Sequence, residues 1–318
     1  MKKLLYALAL VPLVAFGQDY PSKPIRMLVP FAPGGAVDTT ARVLAQAMTQ
    51  RLNWQFVVEN RPGGNGFIAT TAVAKSPADG YTLLMAHTGE FAVNPALFSN
   101  VPYELERDFI PITMVSDAPM LYLATAKAPF NTFAELVAQA KAKPGSISFG
   151  SAGNGSINHL AGEWLAQAAG IQLLHVPYKG GAPAAAAVAA GDVHFGVMAA
   201  PGAMPHIKSG RGKVIGITTA KKSPLDPSWA TPRDANIPDL DASIWVGLFA
   251  PKGTPQPIVD RINAEVRKTL EQPEVQKRFV ESGGAEAVGM SSADFLARVK
   301  KDLERYRAVI KAANVKAE

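Results

Sequence analysis

Two glycine-rich turns contain the residues best suited to binding an anion. The first, turn 1, spans residues 31–38 and reads FAPGGAVD, and the second, turn 2, spans residues 150–156 and reads GSAGNGS. Each follows an apolar strand pattern and opens a helix, whose first N–H groups are unpaired and carry a partial positive charge. Glycine lets a ligand approach the backbone, and Ser151 and Ser156 add hydroxyl donors. The two turns together predict a shared site for a carboxylate.

A simpler interpretation of each turn is an ordinary helix cap. In that case the side chains of Asp38 and Ser156 accept hydrogen bonds from the first N–H groups of their own helices. One turn alone would favour the cap. Because two such turns occur, one in each of two similar units, the anion site is favoured.

Other kinds of site find little support. The chain has no cysteine, no G-x-S-x-G motif and five histidines, none of them spaced as H-x-x-x-H or H-x-H. We therefore predict no metal site, no cofactor and no hydrolase nucleophile. His159 either lines the anion site or caps and packs its own helix. Residues 64–69, GNGFIA, match a dinucleotide pattern, but Asp79 comes too early to bind a ribose, which favours a structural loop.

The composition is that of an exported globular protein. Of the 318 residues, 48% are hydrophobic and 18% charged. Residues 1–17 combine two lysines, a short apolar run and a small-residue end, so we expect a secretory signal peptide rather than a membrane anchor. Without Lys2 and Lys3 the 32 basic residues become 30, against 26 acidic ones, and no basic cluster suggests a nucleic-acid partner. Export without a cysteine for lipidation predicts the periplasm of a Gram-negative cell.

Strand and helix patterns alternate along the chain in two similar series. The order β-α-β-α-β of the first series predicts a parallel sheet covered by helices, and the series restarts with MLYLATA. Two amphipathic helices end the chain, one after Pro255 and one after Ser291, where Asp294 completes a capping box. If these helices return to the first unit, the chain crosses between units near residues 116–125 and 240–250. We therefore predict an α/β fold of two lobes with a ligand cleft between them.

The predicted domain boundaries follow from these crossings. Domain 1 comprises residues 18–120 plus 246–318, and domain 2 comprises residues 121–245, after the signal peptide at residues 1–17.

Seven segments resemble, in order, the Bug-type periplasmic receptors of tripartite tricarboxylate transporters. They are YPSKPIRMLVPFAPGGAVDTTAR, VENRPGGNG, DGYTLLM, NPALF, ISFGSAGNGSINHLAGEWL, HVPYKGGAPA and WVGLFAPKGTP. The resemblance spans nearly all of the chain after the predicted signal peptide. It implies a periplasmic-binding-protein fold of the Venus-flytrap kind, similar to type II, that holds a small carboxylated solute and performs no chemistry.

The resemblance also implies which residues contact the solute. It points to the two turns and to the loops after later strands, with these residues: Phe31, Ala32, Gly34, Gly35, Asp38, His87, Glu90, Ser151, Gly153, Ser156, Pro177, Tyr178, Met198 and Ala199.

Two segments depart from the pattern of the family. Residues 197–201, VMAAP, stand where relatives often place a pocket-facing Asp or Asn, which predicts a more apolar second lobe. Glu90 and Phe91 stand where Thr and His are common. Glu90 either meets a cationic group of the ligand or is a solvated loop carboxylate. Phe91 either stacks on an aromatic ligand or packs against its lobe.

The expected function is a monomeric receptor that closes on a small carboxylate and delivers it to the membrane components of the transporter. One alternative is an exported receptor that reports to a sensor kinase. Another is an exported enzyme on the same scaffold, for which the sequence offers no nucleophile–base pair or cofactor lysine motif. Dicarboxylates, amino acids, aromatic acids and nicotinate-like acids all fit the predicted site.

Overall fold

A computed structural model describes residues 20–237, 240 and 242–316, so the predicted signal peptide lies outside the described residues. The strands are β1 Ile25–Val29, β2 Phe56–Asn60, β3 Thr82–His87, β4 Phe109–Thr125, β5 Ser148–Ser151, β6 Leu174–Pro177, β7 Phe195–Ala199, β8 Gly212–Ile217, β9 Ser243–Pro251 and β10 Glu286–Ala287. The α-helices are α1 Ala36–Leu52, α2 Phe67–Ala74, α3 Asn94–Leu97, α4 Leu105–Asp108, α5 Phe133–Ala142, α6 Ile157–Ala169, α7 Gly181–Ala190, α8 Ala200–Lys208, α9 Gln256–Leu270, α10 Pro273–Gly283 and α11 Ser292–Ala312. None of these described helices has the length and apolarity needed to cross a bilayer.

One sheet runs through the whole molecule in the order β2-β1-β3-β9-β4-β7-β5-β6, with β8 and β10 also paired to β4. Strands β1, β2 and β3 are parallel to each other, and so are β5, β6 and β7. Strands β1 and β3 are almost wholly buried apolar runs, as expected of parallel strands covered by helices on both faces. Most buried apolar side chains form one continuous core, and a smaller cluster lies between β4, β7 and helices α7 and α8.

Strand β4 belongs to both lobes of the molecule. From Phe109 to Pro119 it pairs with β9, and from Met120 to Ala124 it pairs with β7. Strand β9 begins at Ser243, directly opposite Pro119. We call the unit of β1–β3, β9, β10 and the first part of β4 lobe 1, and the unit of β5–β8 and the last part of β4 lobe 2. Both crossings lie inside the predicted windows, while the domain boundaries themselves stay a prediction.

The buried side chain of Thr218 joins the two crossing strands. Its Oγ1 accepts a hydrogen bond from Met120 N at 2.9 Å, and its backbone oxygen accepts one from Ala242 N at 2.8 Å. The two connections between the lobes therefore lie side by side, as a hinge requires.

The prediction of two C-terminal helices was wrong in number, because α10 forms a separate helix. Pro273 occupies its first turn, where the missing N–H costs nothing, and ends any continuation of α9. Only Val275 and Phe279 of α10 are buried, so the apolar periodicity is too sparse to see in the sequence. The cap predicted for the last helix is confirmed, since Ser291 Oγ accepts from Asp294 N at 3.1 Å.

Helix α11 packs on strand β9 beside the hinge. Its buried Asp302 accepts from Trp245 Nε1 at 2.9 Å and from Arg298 Nε at 2.7 Å. The guanidinium of Arg305 lies over the ring of Trp164 on α6, 5.7 Å from its centroid. Helix α11 thus contacts both lobes.

Candidate functional site

Each lobe has one topological switch point, where the strand order reverses. In lobe 1 the chain passes from β1 to β2 on one side and later to β3 on the other, and in lobe 2 it passes from β5 to β6 and then to β7. Ligands of open α/β sheets bind in the crevice outside the carboxyl ends of the strands at such points. The loops that border these crevices begin with turn 1 and His87 in lobe 1, and with turn 2 and Ala199 in lobe 2.

Turn 1 leaves the start of α1 open. Gly35 is the N-cap, in extended conformation and without a side-chain cap. The described residues provide no acceptor for the backbone N–H groups of Gly35, Ala36 and Val37. Gly34 has a φ of 87°, in the left-handed region that favours glycine, and both glycines are exposed. An anion above this turn would meet backbone donors and the positive end of α1.

Asp38 supports turn 1 from within. Its buried carboxylate accepts from Gly34 N at 2.9 Å and from Asn60 Nδ2 at 2.9 Å, and pairs with Arg42 at 2.9 Å. Burial opposes its charge, but the hydrogen bonds from Arg42, Gly34 and Asn60 together lower the pKa of Asp38. The interpretation of Asp38 as a cap of its own helix is wrong, because its carboxylate accepts from Gly34 N, before the helix begins, and from no N–H group of the first turn of α1. Asn60 also donates to Phe31 O at 2.9 Å.

His87 joins the two loops of lobe 1. Its ring lies 4.6 Å from the ring of Phe31, measured between centroids. Glu90 follows in a π-helical turn, Gly89–Val93, and its Oε2 accepts from His87 N at 2.8 Å and contacts His87 Nδ1 at 2.8 Å. The backbone and the ring of His87 are thus both held by one carboxylate.

The interpretation of Glu90 as a solvated loop carboxylate is wrong, because its side chain is 0% exposed. A contact between Glu90 and a cationic group of the ligand stays a prediction. In the structure Glu90 contacts His87. A Cβ on Gly66 would lie 2.5 Å from Glu90 Oε1, which gives the glycine in GNGFIA a packing reason. Phe91 is buried against Phe249, with ring centroids 4.4 Å apart, as the packing interpretation predicted.

Turn 2 is held by its own hydroxyl groups. Ser156 Oγ accepts from His159 N at 3.2 Å and donates to Gly153 O at 2.7 Å. The fully buried Ser151 Oγ accepts from Gly153 N at 3.1 Å. Both hydroxyls therefore stabilise the turn itself, and Ser156 is a true N-cap.

The donors that turn 2 leaves for a ligand are backbone groups. Within the described ranges, no acceptor is provided for the N–H groups of Ile157 and Asn158, the first residues of α6. Gly153 and Gly155 have φ values of 129° and 69°, so the turn needs glycine at both positions. Turn 2 thus offers the same kind of helix start as turn 1.

Two stacked histidines lie beneath turn 2. His159 Nδ1 accepts from Gly155 N at 3.1 Å, and His175 Nε2 lies 2.7 Å from Ser151 Oγ. The two rings are 3.7 Å apart between centroids and inclined by 8°. His159 is buried, which confirms its capping and packing interpretation.

The loop after β6 flanks turn 2. Tyr178 N donates to Ser151 O at 3.0 Å, and the Tyr178 ring lies against the backbone of Gly150. Burial and the carboxylate of Asp192 raise the pKa of Tyr178, so its hydroxyl stays protonated. Pro177, at the end of the strand, is exposed.

Met198 lies in the core of lobe 2 and not at the surface of the cleft. Its side chain is 1% exposed and packs with Leu121 and Val188, over the backbone of Gly196. The reason is strand alternation, which points Met198 toward α7. Ala199 is half-buried and occupies the N-cap position of α8.

The lobes touch each other at turn 2. Leu97, at the end of α3 in lobe 1, packs on the backbone of Gly155 so closely that a Cβ there would overlap its Cδ2. On the opposite side, Gly284 after α10 lies against Ala200 at the start of α8. These contacts join the two lobes beside turn 2 and at the start of α8.

Two cavities can be compared with the switch points. One, of about 20 Å³, borders the start of α1 at Ala36 and lies near the hinge, with a lining that includes Thr40, Ser116 and Phe279. That volume suits a single water molecule rather than a solute. The other, of about 230 Å³, lies on the outer side of lobe 1 between Arg51 and Arg278. The switch points are the better candidate site, because only they combine open helix starts from both lobes with a contact between lobes.

Sequence reasoning missed the residues that support the turns. Asn60 and His175 lie on other elements, and nothing in their spacing links them to the turns. Leu97 stands within the NPALF segment, but its contact with turn 2 depends on how the lobes close. Asn60 could have been found from its position, because it stands at the end of a strand, as several predicted site residues do.

The fold and the site define a two-lobed α/β binding protein. The sequence model of the family described as "Tripartite tricarboxylate transporter family receptor" matches residues 40–315. Protein BugT of Bordetella pertussis is 33% identical over 300 residues, which are 93% of this chain and 91% of BugT. The chain therefore belongs to the receptor family of tripartite tricarboxylate transporters and is of the Bug type.

Solved structures show the same two-lobed fold with ligands present. "R. palustris Rpa4515 with adipate" superposes with a TM-score of 0.87 at 32% identity, covering 94% of this chain and 99% of that one. "MatC (Rpa3494) from Rhodopseudomonas palustris with bound malate" has a TM-score of 0.80 at 30% identity, covering 92% and 100%. Both ligands named there are small dicarboxylates.

Proposed function

We propose that this chain is a periplasmic receptor that captures a small carboxylated solute between its lobes. It would deliver the solute, as a monomer and without chemistry, to the membrane components of a tripartite tricarboxylate-type transporter. The observation that carries the proposal is the pair of open helix starts, Gly35–Val37 in lobe 1 and Ile157–Asn158 in lobe 2. The adipate and malate of the related structures support the solute class.

The physical case rests on complementarity of charge and geometry. The start of a helix offers several aligned N–H donors and a partial positive charge, which favour a carboxylate by about 0.3–1 kcal/mol each from the dipole alone. Hydrogen bonds to a charged group contribute about 1.5–3 kcal/mol. A solute that touches both starts gains these terms only when the lobes are together, so it shifts the population toward the closed form.

The two lobes do not contribute equally. Lobe 1 adds the imidazole of His87 and the ring of Phe31 beside its turn. In lobe 2 the hydroxyls of Ser151 and Ser156 form hydrogen bonds within the turn. The groups that remain for a solute are the backbone donors of turn 2 and the side chain of Tyr178. We expect lobe 1 to bind the more polar end of the solute.

A thermal-shift screen of refolded, ligand-free protein tests the proposal. Adipate, malate, aromatic acids and amino acids are each compared with the corresponding amide. An acid at about 100 times its dissociation constant adds about 2.7 kcal/mol of stability, and its amide should add almost none. Stabilisation by amide and acid alike would contradict a carboxylate site. Solute uptake in a strain that lacks the gene then tests delivery to the transporter.

A further inference from the structure

The stacked pair of His159 and His175 holds both ends of turn 2. His159 accepts the N–H of Gly155 at 3.1 Å on its Nδ1, and His175 Nε2 lies 2.7 Å from the Oγ of Ser151. Ser151 Oγ in turn accepts the N–H of Gly153 at 3.1 Å. The conformation of the turn therefore depends on two imidazoles that come from different elements, α6 and β6.

The hydrogen bonds define the proton on His159. Because Nδ1 accepts from a backbone N–H, the neutral ring carries its proton on Nε2. That atom lies 3.5 Å from Glu163 Oε1, one turn further along α6. Glu163 and the N–H of Gly155 thus contact the two nitrogens of the His159 ring and fix its orientation.

We propose that His159 and His175 are positioning residues of the solute site, and that turn 2 binds a carboxylate only while both imidazoles are neutral. This inference rests on the proposed function. Protonation of His159 at Nδ1 removes the acceptor for Gly155 N–H and turns it into a second donor that faces the first. The turn must then move, and the N–H groups of Ile157 and Asn158 lose their shared orientation.

The surroundings of the pair oppose a second charge. Two imidazolium rings 3.7 Å apart repel each other, and the flanking group Phe149 is apolar. The titratable groups that act on His175 are His159 and Glu163, and Glu163 also lies 3.5 Å from His159 Nε2. Burial and His159 lower the pKa of His175 to about 4, against the opposite influence of Glu163. A histidine whose pKa is depressed stabilises the fold above its ordinary value near 6.5, and this stability is lost as the pH falls toward about 4.

Two substitutions at His159 compare a side chain that keeps a hydrogen-bond acceptor with one that has none. His159→Asn places an amide oxygen near the position of Nδ1, and an amide is not protonated at the pH values of these experiments. His159→Leu removes the acceptor. With adipate as the probe at about pH 7.5, the leucine variant should bind about tenfold more weakly than wild type, the effect of leaving a buried N–H unpaired. His206→Gln, on the surface of α8, is the matched control and should not change affinity.

The pH dependence gives the second test. Between about pH 7.5 and 4, the affinity of wild type should fall by about twofold relative to His175→Gln, because about half of the His175 rings are protonated at the pKa of about 4. The protonation of adipate cancels in this ratio, because it is the same for both proteins. Equal affinities of wild type and His159→Leu, or equal pH profiles of wild type and His175→Gln, would overturn the inference.

A measurement without ligand keeps the inference separate from the proposed function. In ligand-free protein the amide resonance of Gly153, which donates to Ser151 Oγ, should shift together with the Cε1–H signal of His175 as the pH falls toward about 4, and it should not shift in His175→Gln. If no acid binds but this titration is seen, the proposed function fails and the link between the histidine and turn 2 stands. If the Gly153 amide does not respond to pH, the positioning role is refuted whatever the protein binds.

Discussion

The substitution Gly155→Ala should weaken solute binding through a contact between the two lobes. Gly155 has a φ of 69°, and an added Cβ would overlap the Cδ2 of Leu97 from the other lobe. The left-handed backbone costs an alanine about 1–2 kcal/mol. This cost applies to the open and the closed forms alike, so it lowers stability and leaves affinity unchanged.

In the proposed mechanism the overlap with Leu97 acts on affinity, because it arises when the solute brings the lobes together. Carbon atoms need a separation of about 3.5–4.0 Å, and the end of a leucine side chain can move to restore it. An off-rotamer side chain costs about 0.5–1.5 kcal/mol, which corresponds to a two- to twelvefold weaker affinity. In the proposed mechanism the lobes are apart before the solute binds, and that form avoids the cost because Leu97 does not contact turn 2.

Calorimetric titration with adipate and denaturant unfolding measure the two terms separately. Gly155→Ala should lose both stability and affinity. The double variant Gly155→Ala/Leu97→Ala should bind as tightly as Leu97→Ala alone, but it should be less stable than Leu97→Ala. Gly170→Ala is the matched control: it has a φ of 61°, and no atom lies within 4 Å of the added Cβ, so it should lose stability only. An unchanged affinity in Gly155→Ala would refute the closed contact, and an equal loss of affinity in the control would refute the separation of terms.

Three further substitutions test the supports of the site. Ser156→Ala removes the cap of α6 and should lower the free energy of unfolding by about 1 kcal/mol, measured by urea unfolding. Asp38→Asn should lower it by about 1–3 kcal/mol at neutral pH and flatten the acid side of the stability profile. The sign follows because the folded-state pKa of Asp38 is lowered by Arg42 against burial, so its stabilisation is present above about pH 4 and is lost on acidification. Asp302→Ala should cost about 1–3 kcal/mol, since it leaves the buried Trp245 N–H unpaired while Arg298 keeps its contact with Asp117; a loss below about 0.5 kcal/mol would contradict this.

The sequence was informative wherever the pattern is local. The alternation of buried strands and amphipathic helices predicted two α/β units, and the return of the last helices to lobe 1 predicted two crossings. The cap at Ser291 was visible for the same reason, because cap and partner are three residues apart. Glycines after strand ends marked both turns, since their backbone angles admit few other residues.

What the sequence did not reveal depends on contacts between distant segments. Glu90 looks like a loop carboxylate, and only the tertiary structure shows that Gly66 leaves room for it beneath His87. Strand β4 begins at Phe109, but its first half contains Pro111 and lacks regular alternation, so only its second half was predicted. The pairing of His159 with His175 joins two elements and has no periodic signature.

The most direct test of the central claim is an amide chemical-shift titration of ligand-free protein with adipate or malate, whichever acid stabilises it. The resonances of Gly35 and Ala36 in lobe 1 and of Ile157 and Asn158 in lobe 2 should shift together, with one dissociation constant, and the diamide should leave them unchanged. Shifts confined to one lobe, or to residues outside both helix starts, would contradict the claim that the two turns form one carboxylate site.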